Sequence, residues 1–167
     1  DIDFNRCSRG DTAQILEDLA WLGIEWDKPV RIQSEHLADY TAATKSLQDQ
    51  GLLYPCFCTR KDIQREIEAA GHAPHGGDGP LYPGTCRRLS EDERWARIAS
   101  GKPYALRLDL SKALEIIGSR LTWQDSIHGE QIARPEEFGD AVIVRKDIGT
   151  SYHLAVVVDD GLQGVTD

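Results

Sequence analysis

The sequence predicts an α/β fold, because stretches with helical periodicity and short strand-like stretches occur within one chain of 167 residues. Helical patterns, with apolar residues three or four positions apart, dominate the part before Tyr104. From Tyr104 onward, short β-prone stretches are separated by turn residues. This length suits one domain with a buried core, and leaves room for an insertion.

The first two helices are predicted from capping and stop residues. Asp11 is expected to cap a helix that runs to about Leu22, with Gln14 at the capping-box position. Ser34 is expected to start the second helix, and Gly51 to end it, since glycine adopts the left-handed conformation that follows many helices.

Two further helices follow a similar logic. Thr59 is expected to cap the third, with Ile63 and Ile67 on one face. Ser90 opens the fourth, whose first turn carries three acids that face the positive end of the helix dipole. Between them, residues 71–79 are rich in glycine and proline, which predicts a loop.

Strands are predicted over residues 104–108, 120–123, 131–133 and 141–145, where β-branched and aromatic residues are bounded by turn residues. Residues 154–158 are also apolar and β-branched. The pattern alone favours a buried strand there, but short apolar runs do not separate strand from helix.

Composition excludes several classes of protein. The formal net charge is -9, which argues against a generally basic surface for nucleic acid but leaves room for a local one. No apolar run approaches the roughly 20 residues that span a bilayer, so no membrane association is expected. Four cysteines are too few for a disulfide scaffold and favour the reducing cytoplasm. The chain opens at Asp1 without a methionine, and we expect it to be a fragment.

A split cluster of metal-ligand types is the strongest chemical signal. Cys56 and Cys58 lie one residue apart, and Cys86 follows a turn that also carries Tyr82. Zinc takes about four ligands in a tetrahedron and prefers thiolates. The competing interpretation is that these are ordinary buried cysteines.

The fourth ligand is open from the residues alone. His72 and His75 lie between the two half-sites, and zinc favours imidazole over phenol, so His75 ranks above Tyr82 on general chemistry. Cys7 is far from the cluster in sequence and is expected to be a bystander.

Several motifs together resemble the catalytic core of the glutamyl-type class I aminoacyl-tRNA synthetases. The motifs are Asp-Ile-Asp at 1–3 with Arg6, Trp-Leu-Gly-Ile-Glu-Trp-Asp at 21–27, Gly-Asp-Ala-Val-Ile-Val-Arg-Lys-Asp at 139–147, and the run 151–160 with Gly-Val-Thr-Asp at 164–167. The resemblance implies an incomplete Rossmann-type catalytic domain over 1–55 and 136–167. It also implies a zinc-bearing α+β insertion at 56–135, and a helix at 154–158.

The second half-site resembles one branch of that family. Cys-x-Cys followed by Tyr-x-x-x-Cys is similar to the glutamyl-queuosine tRNA(Asp) synthetases, which use ATP to attach glutamate to the modified base queuosine. The resemblance implies one structural zinc on Cys56, Cys58, Tyr82 and Cys86. Ordinary glutamyl-tRNA synthetases with zinc close the site with Cys-x-His or Cys-x-Cys, and a fragment of one is the first alternative.

The resemblance also implies a substrate contact. Of the glutamate-binding positions in the family, Tyr152 matches one, and its hydroxyl would hydrogen-bond the amino acid. The alternative is a core tyrosine beside an apolar run. The family's ATP motifs have no counterpart in these residues, so ATP and magnesium are expected only in the full-length enzyme, and this stretch alone is expected to be inactive.

The implied partners are glutamate, ATP and the anticodon stem-loop of tRNA(Asp). Arg60, Lys61, Arg87 and Arg88 flank the two half-sites and could form a phosphate-binding patch, or be ordinary solvated charge. Asp159-Asp160 could be a magnesium pair, but a role near a helix end or turn is favoured. A second alternative for the whole is a non-catalytic, zinc-stabilised RNA-binding module.

Overall fold

The computed structural model describes residues 1–4, 6–69, 75, 76 and 79–166. The side chains of Arg9, Ala69 and the described residues among 75–80 are outside that description. The chain divides into two compact units, residues 1–46 with 144–167, and residues 47–143. The predicted boundaries of the insertion, at 56 and 135, stay a prediction.

The described residues form a mixture of helices and strands. The α-helices are α1 (Arg9–Trp21), α2 (Leu37–Asp49), α3 (Arg60–Ala69), α4 (Glu91–Ala99), α5 (Leu110–Ile117) and α6 (Tyr152–Gln163). The strands are β1 (Leu53–Cys56), β2 (His75–Gly76), β3 (Gly79–Pro80), β4 (Ala105–Leu108), β5 (Thr122–Asp125), β6 (Gly129–Ile132) and β7 (Val142–Val144). Short 3₁₀ turns occupy Gln33–Glu35 and Pro135–Glu137. None of the helices in the described ranges is long and apolar enough to cross a membrane.

The prediction that Asp11 caps the first helix is wrong. Ser8 is the cap: its Oγ accepts the backbone N–H of Asp11 at 3.3 Å, and the Asp11 carboxylate accepts the backbone N–H of Ser8 at 2.7 Å. Asp11 therefore holds the reciprocal position that was assigned to Gln14. Gln14 instead donates to Asp18 one turn later. The helix begins earlier because a serine three residues before an acid completes both halves of the capping box.

The other predicted helix starts fare better. Thr59 and Asp62 exchange hydrogen bonds at the start of α3, and Ser90 and Glu93 do the same at the start of α4. Ser34 lies in the 3₁₀ turn that precedes α2, so this helix begins three residues later than predicted.

Strands β1, β4 and β7 form a three-stranded sheet in that order. Strands β1 and β4 are antiparallel, with Leu53 opposite Leu108 and Cys56 opposite Ala105. The sequence patterns gave no prediction for β1, which contains Pro55, or for α5. The four predicted strands are confirmed as β4 to β7 with ends shifted by one or two residues.

The segment 154–158 is helical, as the family resemblance implied and against the apolar strand pattern. Ser151 caps α6 by accepting the backbone N–H of Leu154 at 3.3 Å. Leu154, Ala155 and Asp159 are the buried residues of this helix. Their spacing of one, four and five positions fits one face of a helix.

The core of the unit formed by residues 47–143 is built around the cysteine-bearing segments. Tyr54, Cys56, Phe57 and Cys86 are buried together, and Phe57 is only 1% exposed. Cys58, Tyr82, Leu89 and Ile98 pack against them. The fold therefore places the thiols in a largely apolar interior.

Candidate metal centre

Two local structures deliver the cysteines. Cys56 is the last residue of β1, and Cys58 follows two residues later, just before the Thr59 cap of α3. Cys86 follows a turn at Gly84, whose φ of +72° is the left-handed conformation that glycine adopts without strain. A strand end and a glycine turn thus bring together thiols that lie 28 residues apart in the sequence.

The three sulfur atoms form a compact cluster, as the sequence predicted. The Sγ atoms of Cys56, Cys58 and Cys86 all lie within 4.8 Å of one another. Cys58 Sγ and Cys86 Sγ are 3.5 Å apart, far longer than the ~2.05 Å of a disulfide bond. All four cysteines of the chain are free thiols.

Tyr82 turns its phenol oxygen toward this cluster. The oxygen lies 3.4 Å from Cys56 Sγ and 3.7 Å from Cys58 Sγ. It also accepts the backbone N–H of Cys86 at 2.9 Å. The cluster therefore has four donor atoms, three sulfurs and one oxygen, on side chains that are buried or half-buried.

These distances fit a tetrahedral zinc ion. Zinc–sulfur bonds of about 2.3 Å separate two sulfurs by about 3.8 Å in a tetrahedron, and a zinc–oxygen bond of about 2.0 Å brings that oxygen to about 3.5 Å from each sulfur. The observed separations of 3.5 Å between two sulfurs, and of 3.4 and 3.7 Å from sulfur to oxygen, are close to these values. The four side chains thus suit a zinc ion without large rearrangement.

The thiols influence one another's protonation. A hydrogen bond with Cys86 lowers the pKa of the Cys56 thiol to about 4, and Tyr82 and Arg107 act in the same direction. The same hydrogen bond, together with burial, raises the pKa of Cys86. Burial raises the pKa of the Tyr82 phenol. The Cys86 thiol and the Tyr82 phenol are therefore hard to deprotonate unless a bound cation supplies the driving force.

His72 and His75 are the rival candidates for the fourth ligand. His72 lies outside the described residues. For His75 only the backbone is described, in the two-residue strand β2, which pairs with β3. The choice of Tyr82 over His75 as the fourth ligand stays a prediction. The position of the Tyr82 oxygen beside two of the sulfurs supports it. Cys7 is exposed and is not among the three clustered thiols.

The loop that carries Cys86 is anchored by Asp140. The buried Asp140 carboxylate accepts from Arg87 Nη1 at 3.1 Å, from the Tyr54 hydroxyl at 2.5 Å and from the backbone N–H of Leu110 at 3.2 Å. Asp140 therefore links the residue after Cys86 to strand β1 and to the start of α5. No sequence pattern around Asp140 indicates this role.

The predicted basic patch is partly committed to internal contacts. Arg87 is engaged by Asp140, and Arg88 donates to the Pro83 carbonyl oxygen at 2.8 Å. Arg60 and Lys61 are exposed at the start of α3. Binding of phosphates by these four residues stays a prediction.

Tyr152 belongs to the other unit, formed by residues 1–46 and 144–167. It is the first residue of α6, directly after the Ser151 cap, and its side chain is 65% exposed. Its ring packs edge-on beside the His153 ring, with centroids 6.2 Å apart. The alternative of a buried core tyrosine is therefore wrong, and a glutamate contact stays a prediction.

Asp159 has a role that the sequence did not reveal. Its carboxylate is buried and accepts from Arg31 Nε at 2.6 Å, from the Tyr40 hydroxyl at 2.9 Å and from Gln33 Nε2 at 3.0 Å. Burial opposes ionisation, but the hydrogen bonds from Arg31, Gln33 and Tyr40 outweigh it and lower the pKa of Asp159. Asp160, one residue later, is exposed. The two side chains therefore do not form the paired acids of a magnesium site.

Comparison with known proteins identifies the family of this chain. Residues 1–167 match the family of class I tRNA synthetases for glutamate and glutamine (E and Q), catalytic domain. The chain therefore belongs to the class I aminoacyl-tRNA synthetase catalytic domains of this family.

Curated relatives fall into two groups within the family. Glutamyl-Q tRNA(Asp) synthetases from Rhodobacter capsulatus and Symbiobacterium thermophilum are 43% and 42% identical to the chain, over 99% of its length. A glutamate–tRNA ligase from a Hydrogenobaculum species is 39% identical, also over 99% of the chain. The chain spans 60%, 51% and 34% of the lengths of these three relatives, so it corresponds to part of each.

Solved structures agree on the fold. A glutamate–tRNA synthetase from Elizabethkingia anophelis superposes with a TM-score of 0.72 at 25% identity, over 98% of this chain and 34% of that one. A glutamate tRNA ligase from Elizabethkingia meningosepticum, solved in complex with its amino acid, gives a TM-score of 0.74 at 24% identity. The mixed α/β architecture predicted from the sequence is thus that of class I glutamate-specific synthetases.

Proposed function

We propose that the protein containing this chain attaches glutamate to queuosine in tRNA(Asp), using ATP and magnesium. The observation that carries the proposal is the position of Tyr82. Its phenol oxygen lies 3.4 and 3.7 Å from two cysteine sulfurs, where a fourth zinc ligand would lie. The glutamyl-queuosine branch has a tyrosine in this half-site, as this chain does. The ordinary zinc-containing synthetases have a cysteine or histidine pair there instead.

Sequence identity supports the same branch. Five relatives named as glutamyl-Q tRNA(Asp) synthetases are 36–43% identical to the chain, and the three highest values in either group are theirs. Three relatives named as glutamate–tRNA ligases are 36–39% identical. The difference is small, so identity alone would not separate the two functions, and the half-site carries more weight.

The chain's own residues are given two roles under this proposal. Cys56, Cys58, Tyr82 and Cys86 hold a structural zinc, because four protein donors leave no open position for water or substrate. The exposed Tyr152 donates a hydrogen bond to bound glutamate, since its ring stands at the start of α6 where a ligand can reach it. ATP, when bound, supplies the activation of the glutamate carboxyl group.

Aminoacylation by the full-length protein tests the proposal. The protein is incubated with ATP, magnesium, labelled glutamate and one of three RNAs: tRNA(Asp) with queuosine, the same tRNA(Asp) without queuosine, and tRNA(Glu). Label on the queuosine-containing RNA alone is the expected result. Labelling of tRNA(Glu) would overturn the proposal in favour of an ordinary glutamate–tRNA ligase. RNA binding without any glutamate activation would overturn it in favour of the non-catalytic module.

A further inference from the structure

Arg107 lies directly over the ring of Tyr82. The guanidinium carbon of Arg107 is 4.0 Å from the centre of the Tyr82 ring, well inside the range of a cation–π contact. Arg107 is on β4, opposite Tyr54 of β1, the strand that ends at Cys56. The same sheet therefore supports both a thiol of the cluster and the cation that covers Tyr82.

A hydrogen bond to the backbone helps to hold Arg107 in this place, and its side chain also interacts with the Cys56 thiol. Its Nη1 donates to the backbone carbonyl oxygen of Asp140 at 2.6 Å. Its Nε is buried and has no hydrogen-bond partner among the described residues. Arg107 thus has one buried N–H group without an acceptor in the described part of the chain, and its positive charge is half-buried. This is unfavourable unless negative charge lies nearby.

A zinc complex with these four ligands would supply that negative charge. Three thiolates and one phenolate carry four negative charges against the two positive charges of zinc, so the complex has a net charge of about -2. The ligands lie in a largely apolar interior, where uncompensated charge is unfavourable. Arg107, stacked on the one oxygen ligand, is placed to offset part of it.

We propose that Arg107 is a positioning residue for the metal centre, which holds the Tyr82 ring against the cluster and compensates the charge of its phenolate when zinc is bound. The inference rests on the four-ligand zinc site of the proposed function, but not on the identity of the RNA substrate. Residues that orient metal ligands from outside the ligand shell typically change metal affinity by about 10- to 100-fold.

The chain offers a matched control for this role. Arg97 also lies over an aromatic ring in the same unit, at 5.7 Å from the centre of Phe57. Phe57 has no metal-binding atom, although it stands between Cys56 and Cys58 in the sequence. Replacing Arg97 removes a longer cation–π contact beside the cluster without changing the one on Tyr82.

The experiment measures zinc affinity of the full-length protein by competition with a chromogenic chelator, for Arg107→Met and Arg97→Met, each with Tyr82 intact and with Tyr82→Phe. We expect Arg107→Met to weaken zinc binding about 10- to 100-fold, and Arg97→Met to have little effect. In the Tyr82→Phe background Arg107→Met should have a clearly smaller effect, because the Tyr82 ligand is gone and only the interaction of Arg107 with Cys56 is left to lose. The ultraviolet band of tyrosinate that appears on zinc addition should weaken in Arg107→Met.

An equal loss of affinity for Arg107→Met in both backgrounds would overturn the proposal, since it would mean a purely structural role. An Arg97→Met effect as large as that of Arg107→Met would do the same. If Arg107→Met does not fold, Arg107→Lys, which keeps the charge but not the flat stacking, should weaken zinc binding only where Tyr82 is intact. Unchanged zinc affinity in Tyr82→Phe itself would refute the ligand assignment, whereas glutamylation of tRNA(Glu) would refute the function and leave Arg107 untouched.

Discussion

Replacing Asp159 by asparagine should destabilise the unit formed by residues 1–46 and 144–167. The Asp159 carboxylate is 5% exposed and receives hydrogen bonds from Arg31, Gln33 and Tyr40. The Arg31 side chain is itself only 16% exposed. Asparagine keeps the shape of the side chain but removes its charge, so Arg31 loses a buried ionic partner.

The magnitude follows from the kind of contact that is lost. Removing one partner of a buried ion pair costs about 3–5 kcal/mol, and a hydrogen bond to a charged group contributes about 1.5–3 kcal/mol. Arg31 retains a second partner, Asp39, at 2.5 Å, so the lower end of the first range applies. For a unit of about 70 residues, a loss of about 3 kcal/mol lowers Tm by roughly 12–24 °C.

The neighbouring acid is the matched control. Asp160 is exposed on the same helix, and Asp160→Asn should change the free energy of unfolding by less than about 0.5 kcal/mol. Both variants are compared with the wild-type protein by thermal and urea unfolding, followed by circular dichroism. Equal stability of the two variants would refute the assignment of Asp159 as the centre of the network.

The effect of Asp159→Asn should also depend on pH. The pKa of Asp159 is lowered in the folded protein, so its carboxylate stabilises the fold above the unfolded value of about 3.9. This contribution is lost as the pH falls through the lower folded pKa. The stability difference between wild type and Asp159→Asn should therefore be full at neutral pH and shrink in strong acid. A difference that does not change with pH would argue against an ionised Asp159.

Three further predictions concern the metal centre and the substrate. Protein purified without chelators should contain about one zinc per chain by elemental analysis. Cys58→Ser should lose the zinc, whereas Cys7→Ser, at an exposed thiol outside the cluster, should keep it. A metal-free, well-folded wild-type protein would contradict this. Chelation should lower the thermal stability and leave glutamate-dependent exchange of pyrophosphate into ATP by the full-length protein at least partly intact; loss of exchange without any loss of folded structure would mean that the metal is catalytic. Tyr152→Phe in the full-length protein should raise the KM for glutamate, or lower kcat/KM, by roughly 10- to 150-fold, because one hydrogen bond to a charged ligand is removed. The affinity for ATP should change little. Wild-type glutamate kinetics in this variant would mean that Tyr152 does not contact glutamate.

Local chemistry explains which helix starts could be predicted. Thr59 with Asp62 and Ser90 with Glu93 are reciprocal caps made by residues three positions apart, so the sequence contains all the atoms that matter. The error at Asp11 has a local cause as well. Asp11 suits both the cap and the third position of a capping box, and the serine three residues earlier decides between them.

Whether a short apolar segment forms a helix or a strand depends on the rest of the fold. Residues 154–158 have a strand-like composition, yet they lie in α6, whose buried residues Leu154, Ala155 and Asp159 share one face. Strand β1 was not predicted because it has only four residues and one of them is Pro55. It forms because its backbone pairs with β4, a segment about fifty residues later in the sequence.

The sequence by itself determined the kinds of ligand in the candidate metal centre and the motifs of its family. Two cysteines one residue apart, followed by Tyr82 and Cys86, indicate a soft-metal site whatever the path of the chain between them. Only the tertiary structure decided that the Tyr82 oxygen faces the sulfurs and that Arg107 covers its ring. It also decided that Asp159 meets Arg31, which is 128 residues away in the sequence. The reason is physical: caps and turns depend on atoms a few residues apart, whereas the partners of a buried charge are selected by packing between distant segments.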